Sequence, residues 1–356
     1  MAETPILRVD SGTMHGAIDA IFVALGSSAT EARLVADHLV EANLRGHDSH
    51  GVGVAPSYVN AVGKGDLRLN RDLAVRQTAG SVLVCNADQG VGQAMAFRAM
   101  ECGIAHAREH GSAIVALQNS YHIGRIGHWA EQCAAAGLVS IHFANVISAP
   151  MVVPFGGTKP RLSTNPFAAG FPRADGKPPI VVDFATSKYA LGKVRVARNK
   201  GVPVPDGTLV DVDGHPTNDP NVMFSEPYGA LLPFGEHKGS GLSLACELLG
   251  AALAGGAVQN EALASPVLRN SMMSIIADPQ VMAGNDGYFG GLTSVADYFC
   301  SENTDAGTDI MLPGEPELRT RAERLADGLP IDAVTLRAIV DAAASVGVQD
   351  TGLPAT

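Results

Sequence analysis

Val82-Leu83-Val84-Cys85, then Gly90-Val91-Gly92, then a helical pattern from Gln93 to His110: this stretch decides the fold, because strand, glycines and helix in that order invite a dinucleotide-binding reading. The fingerprint fails. Its third glycine lets the helix pack close to the strand, and Met95 stands at that position. No acidic residue closes a second strand at the distance where a ribose would be held. The pattern is α/β, but without a Rossmann phosphate loop at this site.

Outward from that stretch the chain keeps alternating. Thr30-Glu31-Ala32-Arg33 reads as a helix start, followed by apolar Leu34, Val35, Leu39 and Ala42 and stopped by Gly46. Downstream, Ala113 to Leu117 reads as a strand, Gln118 to His122 as a polar loop, Gly124 to Ala136 as a helix, and Leu138 to Asn145 as another strand. Ile180 to Phe184 is a buried strand, Glu236 to Leu253 a helix of small residues, and Met273 to Ala277 a strand. After Pro313-Gly314 the chain turns charged and helical, and Asp332 caps a last helix through Ala344.

Composition narrows the function classes. A chain of 356 residues with 46% hydrophobic content and 40 glycines builds a large core with many tight turns. A net charge of -11 without a Lys/Arg run disfavours nucleic acid and anionic membranes. The longest apolar stretch, Leu248 to Val258, is too short to span a bilayer. Met1-Ala2-Glu3-Thr4-Pro5 has neither a basic nor an apolar signal region, so a cytoplasmic location is expected. Five scattered cysteines, never in a CxxC pair, argue for reduced thiols rather than disulfides or zinc.

Five segments carry chemistry-bearing residues. Leu44-Arg45-Gly46-His47-Asp48-Ser49-His50-Gly51 crowds two imidazoles, a carboxylate and a guanidinium into the turn leaving a helix. It suits acid/base work, a hydrogen-bonded knot or a metal, but no third or fourth ligand accompanies the histidines, so no metal is expected. In Asn119-Ser120-Tyr121-His122-Ile123-Gly124-Arg125, a histidine precedes a helix start where free N–H groups and Arg125 would receive an anion. His128, beside Trp129, reads as packing. Thr164-Asn165-Pro166 is a polar turn, and Asp183 at the end of an apolar strand is either a turn former or a ribose ligand. His237-Lys238-Gly239-Ser240-Gly241 opens a helix in a way suited to phosphate, although the P-loop spacing is absent.

Taken in order, His47-Asp48-Ser49-His50-Gly51, Asn119 to Gly124, Pro150-Met151-Val152-Val153-Pro154-Phe155-Gly156-Gly157, Thr164-Asn165-Pro166-Phe167, Asp183-Phe184-Ala185-Thr186-Ser187 and His237-Lys238-Gly239 resemble the type 2 malate/L-lactate dehydrogenase family nearly end to end. The run Asn119 to Ala136 with Leu312-Pro313-Gly314-Glu315 is most similar to its hydroxycarboxylate dehydrogenase branch. The resemblance implies a non-Rossmann nucleotide-binding domain at 77–312 with a largely antiparallel or mixed sheet. It also implies a helical domain from residues 1–76 with 313–356, and a homodimer. The implied reaction is hydride transfer between NAD(P) and a 2-hydroxy/2-oxo acid, probed against cyclic-imine reduction as the alternative within the family. A catalytically silent binding relative and a metal-dependent hydrolase are the rivals outside it.

By the same resemblance His122 is the base in alcohol oxidation, with His50 as its partner and Ser49 beside it. Ser148, Thr164, Asp183, Phe184, Ala185, His237 and Lys238 match dinucleotide contacts. Many members carry an arginine four residues after the second histidine; here that residue is Val54, while Tyr58 is kept as a substrate contact. Arg45 or Arg125 is the expected replacement for the missing carboxylate grip, and the pocket is expected to tolerate apolar substrate tails better than a dicarboxylate enzyme would. Without a Rossmann acid, NAD and NADP are both expected.

Overall fold

The computed structural model describes residues 5–174, 176–260, 267–301 and 309–354. Seven strands form one mixed sheet, in the spatial order Ala74–Ala79, Val82–Asn86, Ser112–Ser120, Arg269–Ala277, Val139–Ile147, Phe167–Phe171 and Ile180–Phe184. Only the Val82–Asn86 and Ser112–Ser120 pair runs parallel, and the helix Gly92–His110 makes the crossover between them. The stretch that opened the sequence reading is therefore the one βαβ unit of an otherwise antiparallel sheet.

That helix buries Met95, Ala99, Met100, Ile104 and Ala107 on one face, at the spacing of a helical stripe. Burying each of the larger side chains stabilises the fold by about 1.5–3 kcal/mol. The close helix-to-sheet approach that Met95 denies to the first turn is supplied about two turns further on, by Gly103. A Cβ there would lie 2.6 Å from Val115 and 2.7 Å from Ile276 on the two adjoining strands.

Chain ends meet. Ile6–Val9 pairs antiparallel with Leu329–Asp332, and around this ribbon lie the helices Ser11–Ala24, Ala29–Leu44, Ala55–Lys64 and Ala333–Ser345. Asp332 caps the last of them by accepting from Thr335 N at 2.9 Å. Ser28, and not the expected Thr30, caps Ala29–Leu44, accepting from Glu31 N at 3.2 Å. One apolar core runs from Met14 and Phe22 through Met95 and Val115 to Leu336 and Ile339, and the boundary expected at 76–77 falls inside a sheet strand.

Two expected helices start or end differently. The one expected at Gly124–Ala136 spans Gly127–Ala135, because Gly124 takes φ +74° in the turn that precedes it. The one expected at Glu236–Leu253 is α-helical over His237–Glu247 and then widens through Leu248–Leu253. At that junction the buried Glu247 carboxylate accepts from Asn165 Nδ2 at 2.9 Å and Gln259 N at 2.7 Å. No helix of the described residues is long and apolar enough to cross a membrane.

Candidate active site

His50 and His122, 72 residues apart in sequence, lie side by side. Their rings stack with centroids 5.3 Å apart and 15° between planes, and His50 Nδ1 is 3.2 Å from His122 Nε2. The other nitrogen of His122, Nδ1, is 2.5 Å from the Tyr58 hydroxyl, which accepts from Gln93 Nε2 at 2.8 Å. Both ring nitrogens of His122 are thus engaged by protein, whereas His50 Nε2 has no hydrogen-bond partner among the described residues. Burial, and then the neighbouring imidazole of His122, lower the pKa of His50 to about 3; burial lowers that of His122 to about 4. Both rings are neutral near pH 7.

The backbone around the pair leaves no room for side chains. A Cβ on Gly92 would lie 2.0 Å from the His122 carbonyl oxygen, and one on Gly51 would lie 2.0 Å from Asn43 Oδ1. Gly192, in the helix Leu191–Lys200, comes within 2.8 Å of Ser49 Cβ by the same measure, which sets that helix against the exposed Ser49. Gly92, just before Gln93, therefore serves close contact with the histidine loop. This gives the stretch a packing role in place of the phosphate loop that its sequence already argued against.

The crowded segment divides its labour. Asp48 accepts from Arg324 at 2.5 and 3.1 Å and from Asn43 Nδ2 at 2.6 Å, while Asn43 Oδ1 accepts from Val52 N at 2.7 Å. His47 Nε2 is 3.8 Å from Glu317. These contacts tie the turn to the helix Glu315–Asp327 and leave His50 as the member that reaches the site.

Arg45 and Arg125 are placed otherwise than a substrate clamp requires. Arg125, 2% exposed, pairs with Glu131 at 2.6 Å and Asp183 at 3.3 Å; burial opposes its charge, but those carboxylates outweigh it and its pKa is raised. Arg45 pairs with Glu41 at 2.6 Å and Glu131 at 3.1 Å, and Arg321 joins the same Glu41 at 2.9 Å. Both guanidiniums are committed to carboxylates of this chain. The helix start at Gly127 does receive an anion, as its sequence promised, but an internal one: Asp183 Oδ2 accepts from Gly127 N at 3.1 Å. Asp183 Oδ2 is thereby held by the chain itself, and the residue lies within the strand Ile180–Phe184, not in a turn. Tyr58, expected at the substrate, is 1% exposed with its hydroxyl spent on His122 and Gln93.

The remaining expected cofactor residues either have partners within the chain or line a cleft. Ser148 Oγ donates to Ser163 Oγ at 3.2 Å, Thr164 O accepts from Thr186 N at 3.0 Å, and Phe184 packs against Phe167 and Phe234, with Ala185 next to it half-buried. His237 opens its helix beside Phe155, with exposed Lys238 next to it. His237, Phe155, Arg161, Ser240, Gly241 and Gln259 line a cleft of about 680 Å³. Gln259 Oε1 is buried there without a partner, Arg161 has no carboxylate partner among the described residues, and a Cβ on Gly241 would meet open space. A cation, a helix start without a side-chain cap, an apolar wall and an orphaned amide oxygen fit a nucleotide cofactor.

Sequence reasoning missed Gln93, Asn43, Glu131 and His38. Nε2 of His38, buried in the apolar stripe of its helix, accepts from Arg125 N at 2.8 Å. Its ring stacks on Trp129 at 5.1 Å, and burial, then His128 and Arg125, lower its pKa well below the ordinary value. The only signal for His38 is a histidine where the stripe calls for an apolar residue.

The malate/L-lactate dehydrogenase family model matches residues 9–340. Hydroxycarboxylate dehydrogenase B of Escherichia coli is 48% identical over 351 residues, covering 98% of this chain and 97% of that protein. A solved structure from Escherichia coli matches with a TM-score of 0.92 at 48% identity over 96% of both chains. The delta1-piperideine-2-carboxylate reductase of Pseudomonas syringae pvar. tomato matches with 0.82 at 31% identity, over 94% of this chain and 99% of that one. Fold, site and these matches define an oxidoreductase acting on CH–OH groups. The chain belongs to the malate/L-lactate dehydrogenase family.

Proposed function

We propose that the protein transfers a hydride between NAD(P) and a 2-hydroxy/2-oxo carboxylic acid, with broad specificity for the acid. The observation that carries this reading is the neutral His50–His122 pair, in which one imidazole nitrogen is left for a ligand and the other three are held by protein or by each other. When bound, a nicotinamide supplies or takes the hydride. The chain's own task is the proton on the substrate oxygen. Its role is assigned to His50, through the open Nε2, with His122 behind it; this reverses the order of the two that the resemblance implied. Arg161, His237, Lys238 and the amides at the start of their helix would hold the dinucleotide, with Phe155 against an apolar part of it.

With Arg45 and Arg125 committed to carboxylates and Val54 in place of a third guanidinium, the substrate side lacks a dedicated grip on a second carboxylate. That supports acids with apolar tails over malate. Exposed Leu248 and Leu253, with Val295, Tyr298 and Phe299 of the helix Asn285–Phe299, support a homodimer. Five free cysteines support a reducing, cytoplasmic setting.

The test is a panel of 2-oxo acids and cyclic imines with NADH and NADPH, on the natural protein, His50→Ala and His122→Ala. Oxo acids are expected to turn over, and each variant to lose about 10²- to 10⁴-fold in kcat. Full activity in both variants sinks the acid/base assignment; oxidation of NAD(P)H by imines alone moves the protein to the reductase reading; a strong preference for malate removes the apolar-tail claim.

A further inference from the structure

The segment Gly90-Val91-Gly92-Gln93, which serves no nucleotide phosphate, ends at the proton site. Gly92 lets the helix touch the backbone of Tyr121 and His122, and this places Gln93, 1% exposed, behind Tyr58. Gln93 Nε2 donates to the Tyr58 hydroxyl at 2.8 Å. Tyr58 is itself buried, and burial raises its pKa, so the phenol keeps its proton. With an N–H already directed at the phenol oxygen, that proton points to the other polar atom in reach, His122 Nδ1 at 2.5 Å.

The rest follows from counting protons on neutral rings. If His122 Nδ1 accepts, His122 carries its proton on Nε2, 3.2 Å from His50 Nδ1. His50 then accepts at Nδ1 and carries its own proton on Nε2. We propose that Gln93 is a positioning residue that acts through Tyr58 and His122 to set the tautomer of the pair, so that His50 presents an N–H, not a lone pair, to the substrate.

This rests on the dehydrogenase reading and adds a preference to it. An N–H at that point hydrogen-bonds the carbonyl oxygen of a 2-oxo acid directly. A hydroxy acid gives up its hydroxyl proton only to a lone pair, so its oxidation requires the opposite tautomer, with the Tyr58 proton turned away from His122. The resting site is therefore set to receive the oxo acid.

Histidine-selective ¹⁵N labelling of the full chain, read by long-range ¹H–¹⁵N correlation at neutral pH, tests the tautomer without turnover. His122 is expected to be protonated at Nε2 and bare at Nδ1. In Gln93→Glu the carboxylate accepts the Tyr58 proton, and the pair is expected to invert, with His122 protonated at Nδ1. The KM for a 2-oxo acid should then rise about tenfold, the loss of one good hydrogen bond, with the thermal midpoint kept. A proton on His122 Nδ1 in the natural protein overturns the proposal, whether or not the variant folds. An unchanged tautomer in a folded Gln93→Glu protein overturns it too. Failure of the natural protein to reduce any 2-oxo acid overturns the dehydrogenase reading and the substrate preference with it, while the ¹⁵N spectrum still decides the role of Gln93.

Discussion

The wall around His122 and the cleft at His237 carry the same sequence signal, glycines at a helix start, and use it differently. At Gly92 the missing side chain is filled by the His122 carbonyl, and at Gly127 by the Asp183 carboxylate, whose nearest atom would sit 2.4 Å from a Cβ. At the cleft, Gly239 also meets backbone, the Phe234 carbonyl, but Gly241 two residues on faces open space. The first region removes volume to hold imidazoles neutral. The second keeps volume for a ligand. A glycine-rich helix start thus reports close approach or free space, and the sequence does not say which.

Acid should separate the two regions most. His50 and His122 titrate at about 3 and about 4 in the fold, against 6.5 when free. Between pH 6.5 and 4 the unfolded chain therefore binds protons that the folded one does not, and stability falls as pH falls through that window. The slope is about 1.4 kcal/mol per pH unit for each histidine, and it vanishes above 6.5. Urea unfolding at several pH values checks it; a slope unaltered in the His50→Gln/His122→Gln double variant would mean that the pair takes protons freely inside the fold.

Next in size is Arg125→Met, which removes the buried guanidinium that Glu131 and Asp183 share, leaving Glu131 with Arg45 alone and Asp183 with Gly127 N alone, and should cost about 1.5–3 kcal/mol. A loss under about 1 kcal/mol would show that those carboxylates find water or protonate instead. Gly92→Ala forces a methyl against backbone that has nowhere to move and should cost about 1–3 kcal/mol, with activity falling further than stability because His122 shifts. An unaltered KM and kcat would break the link between that helix start and the proton site. Gly241→Ala is the matched control. In a helix with space around it, the change should stabilise by about 0.5–1 kcal/mol while raising the KM for NAD(P)H. Loss of stability there would erase the contrast.

Local signals were legible wherever burial follows a period. Ile180–Phe184 matches its expected bounds, Val82–Asn86 and Gly92–His110 lie within a residue of theirs, and Asp332 caps the helix it was expected to cap. The short-range exception, Ser28 for Thr30, is a two-residue slip between neighbouring hydroxyls. The site was legible as a set of residues and illegible as an arrangement. His50 and His122 were both singled out, yet Gln93, which reaches them through Tyr58, looked like the first residue of an ordinary helix.

By itself the sequence determined the α/β alternation, the failure of the Rossmann fingerprint and the segments that carry chemistry, because side-chain periodicity and glycine placement act through neighbours along the chain. Tertiary structure alone decided that Arg125 and Asp183 hold each other, that His122 has both nitrogens engaged, and that Gly92 is packed while Gly241 is open. Hydrogen bonds and charge pairs depend on distance and direction in space, and residues 58 to 72 positions apart acquire neither until the sheet and the chain ends have packed.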